Sequence, residues 1–283
     1  MTRPAPLVIQ PRHGWAPIDF VELWRYRELA LALAEREVLV RYKQSLLGAA
    51  WAVIQPLVTM LVFTVLFGVL LGQRDLPTAP GVPYPVSTYC ALLPWQLFAQ
   101  SVTRASLSIV GNQNLITKVY FPRLLIPLAP VFAALVDFAI AFVVLVGLMV
   151  WYRIVPGPAV LLLPALVLLA VAFALACSLW LSALNAVHRD IQHVVPFLVQ
   201  LLMYLSPILY SAHAVLSGRP EWVHLLYWLN PMTGVAEGFR WALLDTPTPD
   251  LAIMAASFGG VALILVSGLY YFKRIERRFA DVV

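Results

Sequence analysis

Polar and aromatic residues recur at helical spacing inside long apolar stretches of this 283-residue chain. Trp51, Gln55 and Thr59 stand four residues apart and share one face of a helix. Gln96, Gln100, Arg104 and Ser108 repeat that spacing. Ser178, Ser182 and Asn185 form a third set, and Gln200 and Tyr204, followed by Pro207 and Tyr210, a fourth. Tyr and Trp present an apolar ring with a polar edge, and a Gln amide both donates and accepts hydrogen bonds. Such faces suit a path for a hydrophilic chain rich in hydroxyls. They equally suit plain contacts between helices, where each polar bond is worth about 0.6 kcal/mol. Arg104 is the costliest of these groups, because a charge at mid-bilayer costs about 3 kcal/mol or more. It must face protein or water, and Asp137 in the next apolar stretch is its nearest candidate partner.

Residues suited to covalent or hydrolytic chemistry are missing. No glycine-rich loop ends in Lys-Ser or Lys-Thr, no His-Glu-x-x-His motif occurs, and the five histidines show no ligand spacing. Cys90 and Cys177 sit in apolar stretches without a metal-ligand or disulfide pattern. The expectation is a protein that moves something: not an enzyme, with no catalytic residue, no metal and no cofactor of its own.

The elements that must position these faces follow from composition. Hydrophobic residues make up 61% of the chain and charged residues 12%, where soluble proteins carry about 25%. That excludes a soluble enzyme and a disordered or fibrous chain. Six segments are long enough to cross a bilayer, at about 46–72, 87–111, 124–152, 159–187, 194–216 and 251–272. The fold expected is an all-α integral membrane protein of six transmembrane helices. Fourteen Lys and Arg residues fall on the side of the N-terminus, against Arg74, Arg153, Arg219 and Arg240 on the other. This bias places both termini in the cytoplasm. The net charge of +5 therefore reads as membrane topology, and no nucleic-acid partner is expected. No apolar run precedes the first span, so no signal peptide is expected.

Three segments are not simple spans. After a tail at 1–19, residues 20–45 carry a polar stripe (Glu22, Arg25, Glu28, Glu35, Arg36) opposite Phe20, Leu23, Trp24, Leu31, Ala34 and Val38. This is an amphipathic helix suited to the inner membrane surface, to a partner domain, or to both. The loop 112–123 combines basic and apolar side chains: Leu115, Ile116, Lys118, Tyr120, Phe121 and Arg123. It fits a knob that docks into a protein groove, and equally a plain connection. Segment 217–250 holds two apolar patches too short to cross, 222–229 and 235–244, with Trp222, Tyr227, Trp228, Phe239 and Trp241, beside Arg240. They suit short helices that frame an exit on the outer side, or an interfacial cap.

Four stretches carry a resemblance to a known family. Arg41-Tyr-Lys-Gln-Ser-Leu-Leu-Gly-Ala-Ala-Trp-Ala-Val-Ile-Gln-Pro56 resembles the start of the first span in ABC-2 type polysaccharide exporter permeases, such as those of O-antigen and wall teichoic acid export. Lys118-Val-Tyr-Phe-Pro-Arg123, Arg189-Asp-Ile-Gln-His-Val-Val-Pro-Phe197 and Leu229-Asn-Pro-Met-Thr-Gly-Val-Ala-Glu-Gly-Phe-Arg-Trp241 are similar to later stretches of the same family, in the same order. The resemblance runs from about residue 20 to the C-terminus and leaves 1–19 without a pattern. It implies a homodimeric permease in a bacterial inner membrane, joined by two copies of a separate ATPase subunit that binds ATP and Mg. It implies an undecaprenyl-linked glycan as substrate, with membrane lipid around the dimer. Residues 20–45 would be the interface helix of a transmembrane domain at 46–283, and Lys118 to Arg123 part of the coupling helix that meets the ATPase. The segment 219–245 would form outer gate helices, and Trp51, Tyr204 and Tyr210 would line the channel, with Gln55, Gln96, Gln100 and Gln200 as its polar complement.

Three rivals predict different residues. An exporter of a small lipid or drug needs a mostly apolar cavity. A membrane-embedded transferase needs clustered acids or histidines, whereas Asp137 stands alone in its span. An ion-coupled transporter needs intramembrane ion ligands and inverted repeats, and no repeat is visible.

Overall fold

The computed structural model describes residues 20–43, 47–70, 82–212, 216, 218–249, 251–276 and 279. The tail at 1–19, Arg74, Arg277, Arg278, and residues 46, 71–72 and 213–215 of two expected spans lie outside the described residues. Every regular element among the described residues is helical. In chain order these are α1 (Phe20–Arg25), α2 (Arg27–Tyr42), α3 (Trp51–Phe63), α4 (Tyr84–Gly111), α5 (Gln113–Lys118) and α6 (Leu125–Trp151). After them come α7 (Leu163–Val187), α8 (Ile191–Leu205), α9 (Glu221–Leu229), α10 (Pro231–Leu244) and α11 (Leu251–Glu276).

Among the described residues, four segments are long and apolar enough to cross a bilayer: Gly48–Phe67, Leu125–Trp151, Pro158–Val187 and Met254–Glu276. They coincide with the first, third, fourth and sixth expected spans. The second expected span is α4, an unbroken helix of 28 residues. Its glutamines, serines and Arg104 dilute its apolar character, and its position explains why it carries them. It packs against α3, α6, α7, α8 and α10 at the centre of the bundle, so most of its polar groups meet protein rather than lipid.

The fifth expected span, 194–216, is not one helix. α8 runs only from Ile191 to Leu205, 15 residues, or about 22 Å at 1.5 Å per residue. Pro207 is the reason, since proline forces the residue before it out of the helical region. Ser206 is accordingly extended, with φ −95° and ψ 149°. The chain then turns through Pro207–Ser211 without regular structure.

The patch expected as a surface or exit helix at 235–244 is buried. α10 is capped by Asn230, whose side-chain oxygen accepts from the Met232 amide, with Pro231 at the first helical position. Phe239 is fully buried and meets the edge of Phe138 at 6.1 Å. Arg240 is 2% exposed rather than lying free on the outer side. Trp222 on α9 is exposed and Tyr227 half-buried, as is Trp241 on α10; the Trp228 side chain lies outside the described residues.

A second, smaller core gathers at the end of the bundle that carries Lys118. Leu33 of α2, Ile116 of α5, Phe121, Leu124 to Ile126, and Phe272 close together there. α1, Tyr26 and α2 turn Leu23, Tyr26, Leu29, Ala30 and Leu33 toward this core, while Trp24 and Leu31 point away and are 71% and 69% exposed. Gly48, with φ 50°, opens the short turn that leads into α3, a conformation that a side chain with Cβ resists.

α7 and α11 approach closely at Gly268. A Cβ there would stand 2.9 Å from the Ala176 carbonyl oxygen and from Trp180. Trp180 in turn stacks on Tyr271 at 4.3 Å and donates to Ser267 Oγ at 3.1 Å. Gly268→Val is expected to destabilise the protein by about 1–3 kcal/mol through overpacking. Gly259→Ala, with no atom within 4 Å of its Cβ, is expected to be neutral or slightly stabilising. Unfolding midpoints of the two variants in detergent check the contrast, and equal midpoints would contradict the close approach.

Candidate functional site

Asp137 lies halfway along α6 with its side chain 7% exposed, and its partner is not Arg104. Arg41, at the last turn of α2, forms the ion pair through Nη1, and the Tyr42 hydroxyl donates to the other carboxylate oxygen. Arg41 Nη1 also donates to Gln100 Oε1 at 3.2 Å. Burial, reinforced by the neighbouring Arg104 cation, pulls the Arg41 guanidinium down to about 10, so it stays charged at neutral pH. Arg104 itself is exposed. The reason is geometric: α2 packs along α6 and brings Arg41 to Asp137. A small pocket opens beside this pair, lined by Gln96, Gln100 and Asp137 together with Ala52, Leu93 and Phe138.

The second polar cluster sits where α8 breaks. Arg240 Nη1 donates to the Pro207 carbonyl at 2.6 Å and the Tyr210 carbonyl at 3.2 Å, and Nη2 to Ile208 at 2.7 Å. The Tyr84 hydroxyl donates to the Leu209 carbonyl at 2.9 Å. Glu237, paired with Arg240 at 3.0 Å, accepts from the Ala212 amide at 2.7 Å. Every carbonyl from 207 to 210 is thus met by a side chain, as non-helical backbone within a membrane requires. Tyr227 donates to the Tyr210 hydroxyl, which donates to the Tyr204 carbonyl, each at 2.9 Å.

The expected channel residues fall in three places. Trp51 and Gln55 are exposed on α3, whose buried positions are only Ala52 and Pro56. Gln200 and Tyr204 are exposed on α8, whose single buried residue is Val195. Gln96 and Gln100 line the interior pocket, and Tyr210 is half-buried in the turn. One chain therefore does not enclose a path. It presents two helices, both packed on α4, whose aromatic and amide faces have no partner among the described residues.

In the loop, Ile116 and Phe121 are buried in the smaller core and Leu115 packs against it. Arg123 donates to the Glu276 carbonyl at the end of α11. Arg36 of α2 donates to Asn112 at the loop entrance. The exposed surface is Asn114, Thr117, Lys118, Val119 and Tyr120, the last two 52% and 67% exposed. Burial, with Glu22 nearby, raises the Tyr120 hydroxyl above its ordinary value, so it remains a neutral donor at physiological pH. Sequence reasoning missed Val119 as a surface residue, and missed Arg41, Tyr42, Tyr84, Asn230 and Glu237. The adjacent Arg41-Tyr42 pair at a helix end and the Glu237-x-x-Arg240 spacing in an apolar patch were the available signals.

Residues 28–244 match the model of a family described as ABC-2 type transporter. The chain belongs to the ABC-2 type transporter family. Among its ABC-2 relatives, the O-antigen export system permease protein RfbA of Myxococcus xanthus is 30% identical over 262 residues, which cover 93% of this chain and 98% of the relative. A protein of the same name from Klebsiella pneumoniae is 28% identical over 90% of this chain and 95% of its own length. The polysialic acid transport protein KpsM of Escherichia coli is 27% identical over 75% of this chain and 80% of its own. The match to polysaccharide export permeases is in line with the four resembling stretches, and the multi-pass helical architecture agrees with it.

The ion pair of this ABC-2 protein makes a direct prediction. Asp137→Ala or Arg41→Met, each leaving a buried charge unpaired, is expected to destabilise by about 3–5 kcal/mol. Arg104→Met is expected to stay within about 0.5 kcal/mol. A double-mutant cycle on detergent unfolding should find coupling between 41 and 137 and none between 104 and 137; the reverse pattern would refute the assignment.

Proposed function

We propose that this chain is the transmembrane permease of an ABC exporter that carries lipid-linked polysaccharide of the O-antigen type outward across the bacterial inner membrane. The observation that carries the reading is the pair of unpartnered faces, Trp51 and Gln55 on α3 and Gln200 and Tyr204 on α8. Two copies of the chain would bring four such faces around one axis, where rings stack on sugars and amides bond their hydroxyls. The names of the relatives, O-antigen export and polysialic acid transport, support the substrate class.

The driving force comes from two copies of a separate ATPase subunit, which hold ATP and Mg. They dock on Lys118, Val119 and Tyr120, on the cytoplasmic side with both termini. The route from this surface into the membrane is short. Ile116 and Phe121 anchor the loop in the smaller core with α2, and α2 ends in Arg41, locked to Asp137 on α6. A push on the loop thus moves the interface helix and the spans together. α9, with Trp222 exposed, frames the outer exit, and the buried α10 anchors it to the bundle. This chain supplies the path, and hydrolysis belongs to its partner.

Deleting the gene is expected to trap long undecaprenyl-linked glycans inside the cell, seen on extracted lipid-linked material, while normal surface glycan in that strain would sink the reading. Val119→Asp with Tyr120→Asp is expected to weaken ATPase binding at least about tenfold, since truncating an interface anchor costs about 1–3 kcal/mol. Co-purification and ATPase stimulation measure it, and unaltered assembly would refute the docking surface.

A further inference from the structure

α8 is held very unevenly along its length. Its only buried residue is Val195, and Val194, Phe197, Leu198, Leu201, Tyr204 and Leu205 are all exposed. Its end at Ser206 is different. Ser206 is fully buried, its hydroxyl accepts from Asn230 Nδ2 at 2.8 Å, and the four carbonyls that follow are all engaged. Three of those carbonyls are taken by one guanidinium, Arg240, with Glu237 beside it and the Ala212 amide on Glu237. Arg240 stands on α10, which is itself packed against α4, α7 and α11. The far end of α8 is therefore tied to the rigid core by a network of side-chain bonds, whereas the rest of the helix rests on α4 and α7 through Val195 and the half-buried Val199, Leu202 and Met203, with one bond, from the Gln192 amide to Asn185, at its start.

We propose that Arg240 is a positioning residue for the translocation path. It pins the 206–212 turn as a fixed hinge, about which α8 swings while its Ser206 end stays in place. The inference rests on the exporter reading above. Its chemistry is specific to arginine. A planar fork with five N–H donors reaches several carbonyls at once, which a single ammonium group cannot do. Tyr204 and Tyr210 bracket the hinge, and the chain of hydroxyls from Tyr227 through Tyr210 to the Tyr204 carbonyl keeps both at fixed depth. Hinges in proteins are a few element-terminal residues that absorb the backbone change while their flanks remain packed. Ser206 and Pro207 are such residues, with the flank on one side loose and on the other fastened.

The test uses the assembled permease–ATPase complex in proteoliposomes with lipid-linked glycan. Ser206→Cys and Asn230→Cys are introduced together and bridged with a short bifunctional thiol reagent. The unmutated protein, with its buried or half-buried Cys90 and Cys177, is treated in parallel. A fixed hinge predicts transport within about twofold of the unbridged form, because the two sites do not part during the cycle. A loss of transport on bridging, with the treated unmutated protein still active, would overturn the proposal. Arg240→Met, scored per assembled complex, is expected to lower transport at least about tenfold by leaving the turn's carbonyls unmet, and bridging 206 to 230 in that background is expected to restore most of it. A deficit fully explained by fewer assembled complexes, or one that bridging leaves unrestored, would show Arg240 to be structural only. Absence of transport by the unmutated complex would instead strike the exporter reading.

Discussion

Backbone polar groups inside a membrane must find partners within the protein, and the break at Ser206 exposes several at once. A helix satisfies its own carbonyls, but a helix ended by Pro207 does not. The arginine that answers this need is itself costly to bury, so it carries a carboxylate three residues away on the same helix. The arrangement is mutually dependent. Arg240 is tolerable because of the carbonyls and Glu237, and the broken segment is tolerable because of Arg240. α10 must then sit deep in the bundle, which accounts for the burial of nearly its whole length and for the central place of α4 beside it.

From that constraint the rest of the layout follows. α4, α6, α7, α10 and α11 form the body of the protein, with the larger core between them. α3 and α8 are left at the edge, α3 attached through α4 and α6 and α8 through α4 and α7, and both carry their aromatic and amide residues outward. A face that is polar enough to be expensive in lipid, yet unpartnered among the described residues, is where a second copy and a hydrophilic cargo are proposed to lie. The second buried charge pair serves the opposite end. Arg41 and Tyr42 fasten α2 to Asp137, while Arg36, Leu33 and Phe121 fasten it to the loop. One helix thereby bridges the loop surface and the middle of a span.

Much of this was legible from residue order, because hydropathy and helical period are local properties. Apolar runs announced the spans, although the fifth, expected as one helix over 194–216, breaks at Pro207, and four stretches pointed to the family that the match over residues 28–244 then showed. The docking loop was legible as a segment but not residue by residue: its apolar side chains divide between the smaller core, which takes Ile116 and Phe121, and the surface, which keeps Val119 and Tyr120.

What the chain determined by itself was which segments are helical, which are long and apolar enough to enter a membrane, and which charges are too costly to leave alone there. What only the tertiary structure decided was which charge meets which. Asp137 could not choose between Arg104 and Arg41 from sequence, since the first lies in a neighbouring span and the second on a helix before any span. Packing of α2 along α6 settled it. Arg240 likewise read as an outer residue until the fold carried α10 inward to the broken end of α8. Partner choice over long sequence separation depends on how helices cross, and helix crossing is set by the summed fit of many side chains rather than by any local pattern.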